Sequence, residues 1–443
     1  MERKIAAKLL KWKSDPDRKP LLLCGARQVG KTYTALDFGH THYRNVAYFN
    51  FEFTGRASKI FEGDLDTGRI VDSLSVLSGV DIKEGDTLIV LDEIQACNRA
   101  LTSLKYFREN DPGYHVMATG SLLGIALDRD GFSFPVGNVN IMRMHPMDIE
   151  EFMWATGDKK VAEGVRRSFS SQRKYDLHDR AMDVYRTYLT VGGLPEAVKR
   201  YSEGASAPDI TAIHAEMDAT YMGDMSKYTT KTETVMIRAI WSSISDQLVK
   251  ENKRFVLRDV AEGTRTREAG SPLNWLRVSG LVNRCGRIST GTMPLSAHSE
   301  EPFFKLYMVD SGLLASKLGI PAKTILSDSE SLDGYKGALS ENFVMQALRA
   351  NGVKPYYWAP SPGREVDFVF QGSDGNAVPV EVKSSSHVRS RSLSVFAEEY
   401  GVPFSIRVST KNFGFENKIF NVPLYAAFCL DADVCDIVGE EAS

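Results

Sequence analysis

The run Gly25-Ala26-Arg27-Gln28-Val29-Gly30-Lys31-Thr32 follows four apolar residues, LLLC at 21–24, and precedes a segment that suits a helix. Glycines at 25 and 30 allow backbone angles and close approach that a side chain would block. The loop's N–H groups and the N-terminus of the following helix can then point at anionic oxygens. A lysine directly after the second glycine reaches the outer phosphates of a nucleoside triphosphate, and a hydroxyl directly after the lysine can ligate Mg2+. The expected ATP contacts are therefore Gly25, Ala26, Arg27, Gln28, Val29, Gly30, Lys31, Thr32 and Tyr33, with Lys31 also catalytic and Thr32 also a metal ligand.

About sixty residues later TLIVLDEIQ ends an apolar run in two carboxylates. Asp92 is placed to hold the Mg2+ shell and Glu93 to orient or deprotonate the attacking water. The next apolar run, HVMATGSLLG, ends in Thr119, Gly120 and Ser121. Ser121 is the candidate for sensing the γ-phosphate, with a strand-to-helix cap as the plain alternative. His115 opens that run and reads as a packed residue, and the pair at His40 and His42 as a solvated loop.

A second set of chemical residues lies far downstream in REVDFVFQGSDGNAVPVEVKSS. Alternation along a strand puts Glu381 and Lys383 on one face. With Asp367 on the strand before and Glu341 on the preceding helix, these carboxylates could hold one or two Mg2+. The metal would activate a water that Lys383 steadies. Between them and the phosphate loop lies a basic stretch. From Lys250 to Thr290 there are nine lysines and arginines against four acidic residues, a net of +5, including Arg258, Arg265, Arg267, Arg277, Arg284 and Arg287. Such a patch can lie along a phosphate backbone without reading sequence. It can equally be a lid or docking surface with solvated or paired arginines.

The elements that must position these groups follow from periodicity. LLLC, VAYFNFE (46–52), TLIVLD (87–92), HVMATGS (115–121) and NVNIMRM (138–144) alternate with helical stretches, which indicates a parallel sheet covered on both faces. Residues 146–250 turn helical. Three helices, VMIRAIWSSISDQLVK, VLRDVAEG and SPLNWLRVSG, followed by the strands LVNRCG and FFKLYMVD, have the plan of a winged helix-turn-helix. A helix, GALSENFVMQALRANG, and the strands YYWA, EVDFVFQ, AVPVEVKS and FSIRVS close the chain. The class is α/β, with domains expected at 1–205 (ATPase), 206–315 (helical, winged helix) and 316–430 (α/β).

At 443 residues, 43% hydrophobic and 25% charged, the chain is globular and too long for one core. Its longest aliphatic run, LIVL, excludes a membrane-spanning helix. The N-terminal MERKIAAKLLKWKSD reads as an amphipathic helix and not a signal peptide. Five cysteines with no CxxC imply neither disulfides nor zinc, which fits a reducing cytosol and a cytoplasmic protein.

GARQVGKT, LDEIQ, TGSLLG, FPVGN with MHPMDIEEFM, and VGGLPEAV together resemble a family of prokaryotic AAA-type ATPases that join an ATPase domain to a C-terminal domain of unknown function. The likeness runs from about residue 4 to about residue 400. Members commonly carry a basic residue where this chain has Asn138, so an arginine finger needs another donor, for which Arg143 is the candidate. The helix-Glu, strand-Asp, strand-ExK order resembles restriction-endonuclease-like nucleases, with Glu341, Asp367, Glu381 and Lys383 at the four motif positions. These likenesses imply an ATP- and Mg2+-dependent hydrolase coupled to nucleic-acid handling, with metal-dependent cleavage at the C-terminal end. The competing expectation is a nucleotide-driven switch for a protein partner, its nuclease-like end inactive. The acid-acid-lysine spacing favours the first. Twelve basic against sixteen acidic residues from Ser311 to Ser443 favour the second.

Overall fold

The computed structural model describes residues 1–53, 55–121, 137–260, 266–327, 333–384 and 391–442. The chain divides into two compact units, residues 2–145 with 278–280, and residues 146–277 with 281–443 and Met1. The segment 146–205, expected with the ATPase, therefore belongs to the second unit.

The first unit is built on five parallel strands: β1 (Leu21–Cys24), β2 (Asn45–Asn50), β3 (Thr87–Asp92), β4 (His115–Gly120) and β5 (Asn140–Arg143). Their order is β2-β3-β4-β1-β5. Every residue of β3 and β4 is buried, which is why these runs are apolar without interruption. On one face Leu22, Phe49, Leu91 and Ala118 share a core with Ile70 and Leu74 of the helix Thr67–Ser78 and with Leu101, Leu104 and Phe107 of the helix Asn98–Glu109. Each such leucine stabilises the unit by about 1.5–3 kcal/mol through removal from water. The helix Thr67–Ser78 starts where the Asp66 carboxylate accepts from Arg69 N–H at 2.8 Å and stops at Gly79, whose φ is +69°. The helix Lys31–His42 comes close to the strands at Gly39, where a Cβ would stand 2.7 Å from Val46. His40 and His42 lie in its last turn, not in a loop.

The second unit is centred on a mixed eight-stranded sheet of β6 (Val282–Ile288), β7 (Ser299–Met308), β8 (Tyr356–Ser361), β9 (Arg364–Gln371), β10 (Ala377–Lys383), β11 (Ser405–Ser409), β12 (Gly414–Glu416) and β13 (Ile419–Pro423). The order is β12-β13-β11-β10-β9-β8-β6-β7. The two strands expected as a wing, β6 and β7, are thus part of the C-terminal sheet, because β6 runs parallel to β8 through Gly286 and Tyr356. Of the three expected helices, the first spans Lys231–Val249 and the third Thr266–Val278. The second is a three-residue 3-10 turn, Leu257–Asp259, within the described residues. The VGGLPEAV stretch is a close-packing device: a Cβ at Gly193 would stand 1.9 Å from the Met147 carbonyl oxygen, and Gly193 N–H donates to buried Asp310 at 2.6 Å.

Candidate functional site

Parallel pairing brings the C-terminal ends of the strands to one edge of the first sheet, the usual ligand edge of such a sheet. The register sets Cys24 beside Gly120 and Arg143, and Asn50 beside Asp92. Gly25 has φ +150°, and a Cβ there would stand 2.2 Å from the Met144 carbonyl oxygen, so only glycine fits. Gly30, at φ +92°, opens the helix Lys31–His42, and Gln28 also takes a left-handed conformation at φ +65°. Lys31 is buried, and its ammonium donates to the carbonyls of Gly25 at 3.0 Å and Ala26 at 2.7 Å. Burial lowers its pKa to about 8, although Glu93, Cys24 and Asp92 pull the other way. Burial likewise pushes the Cys24 thiol up to about 11, against the charges of Arg143 and Lys31. Ala26 and Val29 point their side chains inward, whereas Tyr33 is exposed and Arg27 reaches Glu52 at 3.5 Å.

Asp92 is the hub. It is buried, and its carboxylate accepts from Thr32 Oγ1 at 3.0 Å, Tyr48 OH at 2.7 Å, Asn50 Nδ2 at 3.0 Å and the Thr119 hydroxyl. All four donors are neutral, and together they fix the position of the carboxylate. Glu93 follows in a left-handed conformation, φ +51°. Its carboxylate accepts from the Gln95 amide and from Ser121 Oγ at 3.3 Å. Ser121 therefore holds Glu93, while its neighbour on the same strand end, Thr119, holds Asp92.

Sequence reasoning missed Tyr48, Asn50 and Gln95. The first two are two apart on a half-buried strand and so share a face, a signal that the end of β2 could have given. It also missed two supports of the loop. Arg3 donates to the Val29 carbonyl at 3.0 Å and to the His145 carbonyl at 2.7 Å. Gly280, at φ +78°, passes so near that its Cβ would stand 3.2 Å from Ala26 N. Asn138 lies just before β5, and Arg143 is exposed at its end. His115 is buried against Tyr43 OH at 2.7 Å, and burial lowers its pKa to about 4.

The second carboxylate set is also assembled, but around cations of the chain itself. Glu341, on the helix Asp333–Ala350, accepts from the Lys253 ammonium and from Tyr307 OH at 3.1 Å, with Lys305 Nζ at 3.7 Å. Lys305 is fully buried in β7 and donates to Glu365 at 2.6 Å. Burial alone would lower the Lys305 pKa, yet Glu341, Glu365 and Asp367 raise it, so it stays charged. Burial would raise Glu341, but Lys305 and Lys253 hold it below the usual range. Asp367 accepts from Val382 N–H at 2.8 Å and is raised by burial and by the Glu341 charge. Glu381 pairs with Lys383 at 2.7 Å through one oxygen. Burial would lower Lys383 too, but the hydrogen bond and charge of Glu381, then Asp367 and Glu341, raise it. Among the described residues no group of three histidine, cysteine or acidic side chains has the geometry to hold a metal. Of the residues expected as a metal set, Glu341 is paired with Lys253 and Lys305, Glu381 with Lys383, and Asp367 is held by the Val382 N–H.

In the basic stretch Arg258 and Arg277 are exposed, Arg284 pairs with Glu301 at 2.9 Å and Arg287 with Glu300 at 2.7 Å. Arg265 and the side chain of Arg267 lie outside the described residues. No described helix is long and apolar enough to cross a membrane.

Residues 17–153 match the family described as an AAA domain, residues 182–324 a domain of unknown function (DUF8612), and residues 336–426 another (DUF4143). No curated protein matches the sequence. Among solved structures, the chain is similar to a Walker-type ATPase of Pyrococcus abyssi at 13% identity, over 72% of this chain and 95% of that one, with a TM-score of 0.46. It is similar to the ORC2 protein of Aeropyrum pernix, in ADPNP and ADP complexes, at 11% identity over 73% and 91%, with a TM-score of 0.33. RuvB of Thermotoga maritima follows at 14% identity over 64% and 89%, with a TM-score of 0.31. At these identities and scores the likenesses are too remote to decide a fold or a function. The parallel sheet and the glycine-bounded loop lie within the residues that match the AAA domain, and two regions that match families of unknown function follow.

Proposed function

We propose that the first unit binds ATP with Mg2+ and hydrolyses it. The observation that carries this reading is the contact of Thr32 Oγ1 with Asp92 at 3.0 Å, with Glu93 next in the chain. A hydroxyl and a carboxylate converge there, both hard oxygen donors of the kind Mg2+ takes alongside phosphate oxygens and water. Thr32 and Asp92 would hold the ion, which when bound would neutralise charge on the β- and γ-phosphates. Lys31 supplies a fixed positive charge to the same oxygens, at the helix N-terminus that favours anions. Glu93, steadied by Gln95 and Ser121, orients the water and accepts its proton. The test is phosphate release by the full chain with and without Mg2+. The reading requires Mg2+-dependent turnover that Lys31→Ala abolishes together with nucleotide binding. Turnover by Lys31→Ala at the parent rate refutes it.

The C-terminal unit gives metal-dependent cleavage less support, because Glu341 and Glu381 are already paired with lysines of the chain. A carboxylate paired with an ammonium stays ionised, but the partner compensates its charge and weakens its pull on a metal.

A further inference from the structure

The second unit contains a cleft of about 700 Å3 whose charged lining is lopsided. Arg254, Arg258, Arg277 and Arg284 face it, and among its described lining residues Glu301 is the one carboxylate. We propose that this cleft binds the phosphodiester backbone of a single nucleic-acid strand.

Three features support a strand over other anions. First, the arginines come from three separate elements: the segment through the turn Leu257–Asp259, the last turn of the helix Thr266–Val278, and β6. Several guanidinium groups supplied by separate elements suit several phosphates of a backbone. Second, two of the guanidinium groups are pre-placed by aromatic rings. The Arg254 group lies 4.0 Å from the centre of the Phe303 ring, and the Arg284 group 4.7 Å from that of Phe304. Stacking on a ring reduces the rotamer entropy lost on binding, although one Arg284 nitrogen already donates to Glu301. Phe304 is itself buried and stacked on Phe255 at 5.8 Å, so the rings support the arginines and are not a platform for bases. Third, the size decides between strand and duplex. The volume falls within the roughly 300–1,000 Å3 of ordinary ligand sites, room for a few nucleotides of one strand but not for a double helix.

Acidic groups nearby do not cancel this field. Asp259 is paired with Lys250 at 2.6 Å, and Glu301 with Arg284 at 2.9 Å. Among the described residues Arg254, Arg258 and Arg277 have no acidic partner within ion-pair distance, in a chain whose overall charge is -3. The inference stands apart from the ATPase reading, because binding to the cleft needs no nucleotide turnover.

The experiment is fluorescence anisotropy of a labelled oligothymidylate with the full chain, without nucleotide, across a series of salt concentrations. Parent protein is expected to bind with a strong salt dependence. The triple change Arg254→Ala, Arg258→Ala, Arg277→Ala should weaken binding at least tenfold. It should also flatten the log–log salt slope by about 2, since each phosphate contact on a single strand contributes roughly 0.7. Retained ATP hydrolysis and an unchanged urea midpoint show that the variant is folded. The triple Arg→Lys protein should keep most of the slope while losing affinity. The Lys31→Ala protein should bind as the parent does, which keeps this test separate from that of the ATP site. Equal affinity of parent and triple-alanine proteins overturns the proposal. So does tighter binding of duplex of the same length, or of inorganic polyphosphate or polyglutamate, than of the oligothymidylate.

Discussion

The two carboxylate centres of this protein use similar residues and reach opposite electrostatic ends. Asp92 is surrounded by hydroxyls and an amide, which fix its oxygens and leave its charge unspent. Glu341 and Glu365 are met by ammonium groups, and Asp367 lies within the field of the same lysines. In the first unit the nearest cation, Lys31, bonds backbone carbonyls and not the acids, so it remains available to an anion. Neutral donors therefore make a site that seeks a cation and a phosphate. Charged donors make a closed knot that ties the helix Asp333–Ala350 to the sheet it covers. The lesson is that an acid-rich motif has no fixed meaning until the charges of its neighbours are known.

The strongest way to break this comparison is at Glu93. Glu93→Gln keeps the shape and the contacts with Gln95 and Ser121 but removes proton acceptance. Turnover should fall on the order of 100- to 10,000-fold, with ATP affinity within a few-fold of the parent. Single-turnover phosphate release against equilibrium ATP binding separates the two quantities. Unchanged turnover would place the catalytic base elsewhere.

The matching change in the other centre should act on stability and not on ATP turnover. Lys305→Met leaves Glu341 and Glu365 without their buried cation and should destabilise the second unit by about 3–5 kcal/mol in urea unfolding. The double change Lys305→Met, Glu341→Gln should recover part of that loss, since the buried Glu341 charge is removed while half-exposed Glu365 and partly exposed Lys253 can turn to solvent. Failure of the double variant to recover would mean that Lys305 serves something other than charge balance. Neither Asp367→Asn nor Glu381→Gln should alter any Mg2+- or Mn2+-dependent cutting of DNA or RNA. Cleavage by the parent that these changes abolish would restore the nuclease reading.

Lys31 sharpens the contrast from the side of pH. Its folded pKa, about 8, lies below the ordinary 10.5. Below pH 8 both folded and unfolded chains hold the proton and the burial penalty stands in full. Between pH 8 and 10.5 the folded state releases the proton first, so the penalty fades as pH rises. Nucleotide-free Lys31→Met should then be more stable than the parent by about 1–3 kcal/mol at pH 7.5. The advantage should shrink by pH 9.5 in paired urea titrations. A variant less stable than its parent at pH 7.5 would contradict a lysine held at the expense of stability.

The smallest expected effect is at Tyr48. Tyr48→Phe removes one of four donors to Asp92 and should weaken Mg2+-dependent ATP binding by about 0.5–1.5 kcal/mol, read by calorimetry. The corresponding change beside Glu341, Tyr307→Phe, should leave ATP binding untouched.

The sequence by itself determined whatever is local in the chain. Loop spacing named Gly25, Gly30, Lys31 and Thr32, and an uninterrupted apolar run ending in two acids named Asp92 and Glu93. Periodicity located β1, β3 and β4 because strands buried on both faces carry no polar alternation to confuse them. Tertiary structure alone decided what depends on residues distant in sequence. It paired β6 with β8, about seventy residues away, which turned an expected wing into sheet. It brought Tyr48 and Asn50 to Asp92, and Arg3 to the phosphate loop. It set Lys253 and Lys305 against Glu341, eighty-eight and thirty-six residues away in the chain. Spacing fixes which groups share one strand face or one helix turn. The sign of the field those groups experience is set by neighbours that only folding supplies.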